Sequence, residues 1–135
     1  MTAGYSGVRL SAKLGINSES HCLILNSPLD YAQLVDIPLQ SVDTTPSPHA
    51  KYEFIHLFAW NRSDLDRLMA LGVTHLEKTG MLWASWLKKS SGVETDINEN
   101  DVRALGLSLG LVDTKIAAID STWSGLKFVY RLRDR

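Results

Sequence analysis

From residue 21 onward the chain alternates short apolar runs with segments of helical period. The run His21-Cys22-Leu23-Ile24-Leu25 breaks at Asn26-Ser27-Pro28, where Ser27 suits a helix N-cap and Pro28 the first helical position. This predicts a strand running directly into a helix. Pro38, Pro46 and Pro48, set among Thr44, Thr45 and Ser47, leave room for a short strand near Val42 and then a mobile loop over 43–50. Tyr52 to Trp60 is apolar on both alternating faces apart from Glu53 and His56, the pattern of a central parallel strand covered on both sides. Ser63 then suits a cap for a helix with Asp64 and Asp66 in its first turn. Leu65, Leu68, Met69, Gly72 and Leu76 share one face of that helix, Gly72 is a possible break, and Gly80 is its end. Met81 to Leu87 reads as the next buried strand.

Asn98 is a good N-cap, with Ile97 before it and Val102 inside at the spacing of a hydrophobic staple. Val102, Leu105, Gly106 and Leu109 form the apolar stripe, and Gly110 is placed to end the helix in a left-handed conformation. A strand follows over 111–120. In the last run Leu126, Phe128, Tyr130 and Leu132 alternate with Lys127, Arg131 and Arg133, so this strand has one solvated face. The short connection before it requires an antiparallel partner. The order predicts a three-layer, Rossmann-like α/β sandwich: a mainly parallel sheet of five or six strands ending in an antiparallel hairpin. One domain is expected over residues 1–135, opened by a loop and short helix over 1–16 that Gly15 stops.

This ending resembles the S-adenosylmethionine-dependent methyltransferase fold in truncated form, a resemblance of shape that does not carry function by itself. The chain is also similar to a family of small bacterial proteins of unknown function. The matching stretches are Gly4-Tyr5-Ser6-Gly7, Lys13-Leu14-Gly15-Ile16, Lys88 to Val93 with Thr95-Asp96, Gly110-Leu111-Val112-Asp113 and Trp123-Ser124-Gly125-Leu126. That resemblance implies no particular activity. Against the methyltransferase pattern, the first turn reads Leu25-Asn26-Ser27-Pro28-Leu29 without the glycine that permits close backbone approach to a cofactor. Asp43 is the sole nearby acid for ribose hydroxyls.

Composition narrows the classes. Fourteen basic and fifteen acidic residues in 135 give a net charge of −1, with no global field for a nucleic-acid backbone or an anionic membrane. The lone Cys22 rules out an internal disulfide framework and a cysteine-based zinc site. His21, His49 and His75 show no metal-ligand spacing, and no metal or cofactor is expected. His56 lies mid-strand, which favours a buried imidazole hydrogen-bonded to a neighbour over a catalytic group. The start of the chain lacks a signal-peptide core, so a cytoplasmic protein is expected.

Parallel α/β sheets bind ligands beyond the carboxyl ends of their strands. The turns selected in this way are Asn26-Ser27, Trp60-Asn61-Arg62 and Lys88-Lys89-Ser90-Ser91-Gly92. Their cations, hydroxyls and free amides suit a small anion, and Trp123 could close that end of the sheet or cap a pocket. The resulting expectation is a non-catalytic binding or regulatory domain for a small anionic ligand or protein partner. The alternatives are a degenerate methyltransferase-like enzyme and an oligomerising interaction protein. Lys127, Arg131, Arg133 and Arg135 read as the charge protection of an exposed final strand, or as the edge of a homodimer.

Overall fold

The computed structural model describes residues 9–28 and 30–135; the Gly4-Tyr5-Ser6-Gly7 stretch lies outside the described residues. Helices α1 (Leu10–Leu14), α2 (Tyr31–Val35), α3 (Arg62–Thr74) and α4 (Glu99–Ser108) flank one sheet. Its strands are β1 (His21–Leu25), β2 (Ser41–Asp43), β3 (Tyr52–Ala59), β4 (Leu76–Leu87), β5 (Leu111–Ala118) and β6 (Trp123–Tyr130). Their spatial order is β2-β1-β3-β4-β6-β5. The first four strands run parallel, while β6 is antiparallel to both β4 and β5. This is the expected α/β class, a mixed Rossmann-like sheet between helical layers.

Strand alternation sorts the core into two halves. Leu23, Leu25, Ile55, Leu57, Ala59, Leu82, Ala84 and Trp86 pack against α3 and α4. Cys22, Ile24, Phe54, Phe58, Trp83 and Leu87 pack on the opposite face with Leu14 of α1 and Tyr31 and Val35 of α2. Both faces of β1, β3 and β4 are covered, which is why these runs are apolar throughout.

Local chemistry fixes the helix ends. Gly15 stops α1 at φ 83°, as expected, and Gly110 takes φ 92° just past α4. Asn98 and Asp101 form a reciprocal capping box at the start of α4. Close approach sets Gly106: a Cβ there would sit 2.1 Å from the Phe128 ring. Three boundaries differ from expectation. Asp30, not Ser27, caps α2, accepting from the Gln33 N–H, and the helix is only five residues long. Asn61 rather than Ser63 caps α3, because its side chain reaches the Asp64 N–H at 2.8 Å. Helix α3 passes through Gly72 unbroken and ends before Leu76, which opens β4; the register then slips, with Tyr52 opposite Leu76 and Phe54 opposite Met81.

The final strand also differs. Strand β6 lies inside the sheet, hydrogen-bonded on both sides, so Lys127 protects no edge and the strand is not free to pair with a second copy; it ends at Tyr130, and Arg131, Arg133 and Arg135 lie beyond it. The edges are β2 and β5. Among the described residues, no helix is long and apolar enough to cross a membrane.

Candidate functional site

At the carboxyl ends of β1 and β2 the chain leaves a cleft of about 500 Å³, lined by Ile24, Asn26, Ser27, Asp30, Tyr31, Ala32, Leu39, Val42 and Thr44. Asn26 opens the turn after β1 with φ 63°, the left-handed backbone that glycine otherwise supplies and that asparagine adopts most readily among the other residues. Its amide nitrogen donates to the Phe58 carbonyl at 2.9 Å, which ties the turn to β3. The missing glycine is therefore no bar to the backbone course. Ile24, Leu39 and Val42 make apolar walls, and the polar rim comes from Asn26, Ser27, Asp30 and Thr44. Among the described residues the lining holds a carboxylate, Asp30, and neither lysine nor arginine.

Asp43, the acid expected to face the cofactor position, is tied elsewhere. Its carboxylate accepts from the Tyr52 hydroxyl and lies 3.4 Å from His21 Nε2. The Tyr52 hydrogen bond, followed by His21, holds the Asp43 carboxyl below the usual range, while burial opposes this.

The other selected turns meet at the neighbouring stretch of the same sheet end. Trp60 is 40% exposed, and its ring stands edge-on to Trp123 at 5.1 Å. Trp123 is the first residue of β6 rather than part of a polar turn. It is buried against Phe58 at 5.3 Å, so it closes the sheet end. The Lys88 N–H donates to Thr122 O at 2.8 Å, which brings the lysine turn beside Trp123. Within that turn Lys89, Ser90 and Ser91 form one 3₁₀ turn, Ser91 Oγ donates to Lys88 O, and Gly92 ends it at φ 76°.

Arg62 is spent on other groups. Its guanidinium lies 3.1 Å from Asp66 and 3.6 Å from Asp101, and its backbone N–H donates to Asp96. Asn61 is committed to its helix cap. Asn26 and Ser27 thus share the cleft, while Trp60, Trp123 and the lysine turn form a separate group. Sequence reasoning missed Asp30, Tyr31, Leu39, Val42 and Thr44. The one signal for them was their position around the turn after the first strand.

Below the cleft, His56 is fully buried as expected, with Nδ1 2.6 Å from the Tyr31 hydroxyl and Nε2 2.6 Å from Ser85 Oγ. Burial pushes its pKa down to about 3, so the imidazole is neutral at ordinary pH. Burial, reinforced by Cys22, raises the Tyr31 hydroxyl well above its usual value.

No protein-family model and no curated protein matches the sequence, so the likeness to a family of small bacterial proteins gains no support beyond the shape. Solved structures do match. A ribosomal protein L11 methylase from Lactobacillus delbrueckii subsp. bulgaricus aligns over 90% of this chain and 75% of its own, at 11% identity and TM-score 0.58. The DhpI–SAH complex covers 93% of this chain and 83% of its own, at 9% identity and TM-score 0.62. A TehB-like SAM-dependent methyltransferase from Corynebacterium glutamicum covers 96% and 91%, at 12% identity and TM-score 0.56. These likenesses overturn three expectations: a non-catalytic domain for a small anionic ligand or protein partner, a leaning away from an enzyme, and the absence of a cofactor. Two of these three are named as a methylase or methyltransferase, and the DhpI structure holds SAH. The chain has the fold of the S-adenosylmethionine-dependent methyltransferases.

Proposed function

We propose that this protein binds S-adenosylmethionine in the cleft beyond β1 and β2 and is an enzyme of the methyltransferase type. The observation that carries the reading is the cleft itself, a space at the carboxyl ends of adjacent parallel strands with a left-handed turn at its mouth. Its volume of about 500 Å³ falls in the range of small-molecule pockets.

The residues present fit such a ligand in kind. Ile24, Leu39 and Val42 offer apolar surface to a purine, Thr44 offers a hydroxyl, and Asp30 supplies a negative charge with no lysine or arginine among the described lining residues. That charge favours a cationic ligand over an anionic one. With Asp43 occupied by Tyr52 and His21, Thr44 is left to receive a ribose hydroxyl, and the Asp30 carboxylate, one oxygen of which caps α2, to face the sulfonium. When bound, S-adenosylmethionine supplies an electrophilic methyl group on a sulfonium. The chain's part is to hold that ligand in one orientation and shield it from water, and positioning of this kind accounts for much of the rate of a two-substrate reaction. We assign the activity to the cytoplasm, which suits the single buried free thiol, and to a small-molecule acceptor, which suits the near-neutral charge.

Calorimetric titration with S-adenosylmethionine and with its neutral demethylated product, S-adenosylhomocysteine, tests the reading. Saturable binding of both is expected. Asp30→Asn keeps a competent helix cap but removes the charge, so it should weaken the sulfonium ligand roughly threefold to tenfold more than the neutral one. Absence of binding by either at millimolar concentration, or an equal loss for both, would overturn it.

A further inference from the structure

The molecule buries a line of polar side chains where apolar ones would pack at lower cost. Tyr31 of α2, His56 of β3 and Ser85 of β4 are joined by two hydrogen bonds of 2.6 Å each, and His56 and Ser85 are wholly shielded from solvent. Burial of such groups is tolerable only when all are satisfied, and no buried side-chain polar atom among the described residues lacks a partner. The neutral imidazole donates through one ring nitrogen and accepts through the other. The line therefore runs from Tyr31 to Ser85 or in reverse, and the hydroxyl at its receiving end keeps its own proton for a further acceptor.

Its upper end stands at the cleft. Tyr31 is both a lining residue and the first residue of α2, whose five residues are far too few to be stable alone. The α2 wall thus depends on tertiary anchors. Val35 is buried at its far end, Arg9 donates to the Asp36 carbonyl just beyond it, and the Tyr31 ring leans on Phe54 and Phe58. Among these contacts the Tyr31–His56 bond is a hydrogen bond that reaches into a strand buried along almost its whole length. We propose that His56 and Ser85 are positioning residues for the ligand cleft: they lock the Tyr31 ring, and through it the α2 wall, in the geometry that binding requires. The role in binding rests on the cofactor reading above, whereas the lock on α2 does not.

Hydrogen exchange over residues 31–35, read alongside S-adenosylhomocysteine affinity well below the melting temperature, tests both parts. In Tyr31→Phe and Ser85→Ala, exchange in α2 should accelerate about tenfold while β3 and β4 stay protected, with affinity falling by a similar factor. His56→Asn, which keeps a hydrogen-bonding group near the Nδ1 position, should retain more affinity than His56→Leu. Unchanged α2 exchange, or acceleration spread evenly over α2, β3 and β4, would overturn the lock. If the wild-type protein binds neither S-adenosyl compound, the cofactor reading and the role in binding both fall, and the exchange pattern alone decides the lock.

Discussion

The two sides of β3 are built differently. Toward β1 and β2 the elements are short: five residues in β1, five in α2 and three in β2, followed by a proline-rich connection. Toward β4 they are long, with twelve residues in β4, eight in β6 and thirteen in α3. The long side holds itself by ladder and core. The short side borrows rigidity through individual polar ties, three of which run from its side chains to β3: Asn26 to Phe58, Tyr31 to His56, and Asp43 to Tyr52. The candidate cleft lies on the borrowed side, as expected where a site must stay open while the scaffold carries the stability.

If this division is right, damage to the long side is global and damage to the short side is local. The largest effect belongs to Gly106→Ala, which drives a methyl group into the Phe128 ring where α4 crosses β6. A loss of about 3 kcal/mol in denaturant unfolding is expected, with every element affected.

Next comes acidification. The native His56 binds a proton only near pH 3, whereas the unfolded chain does so near 6.5, so the unfolded state gains protons first as pH falls. The contribution is intact above about pH 6.5 and declines toward pH 3, by about 2 kcal/mol between pH 7 and 5. Melting curves of the wild type and His56→Asn across that range check this, and the variant should lose the His56 part of the slope.

The smallest effect tests the cleft mouth. Asn26→Ala strains the left-handed backbone and drops the bond to Phe58, while Asn26→Gly drops only the bond. Alanine should therefore be less stable than glycine by about 1 kcal/mol, with exchange rising around residues 25–28 and not in β4. Equal losses for both variants would mean that backbone conformation there carries no energy.

Most of the long side was legible in the sequence. The doubly apolar Tyr52–Ala59 run, the Asn98 cap with its staple and the antiparallel final pair follow from period and capping chemistry. The short side was less so, because Asp30 competes with Ser27 for a cap and nothing local decides between them. Insertion of β6 between β4 and β5 is a long-range pairing that alternation cannot encode. The partners of Arg62 were illegible for a similar reason. Adjacency at a strand end says nothing of Asp66 and Asp101, which neutralise the guanidinium. The methyltransferase shape was visible, but not that Asn26 would take the left-handed backbone of a glycine while keeping a side chain in the turn.

The inserted strand also sets an order of events. On one side β4 rests against β3, but its other ladder stays empty until Trp123–Tyr130 has been synthesised, and β5, made earlier, has no neighbour other than β6. A growing chain therefore carries two open strand edges through the synthesis of α4 and β5. It can complete its sheet only when one late segment slides between them, a late closure during which aggregation and chaperone capture are favoured.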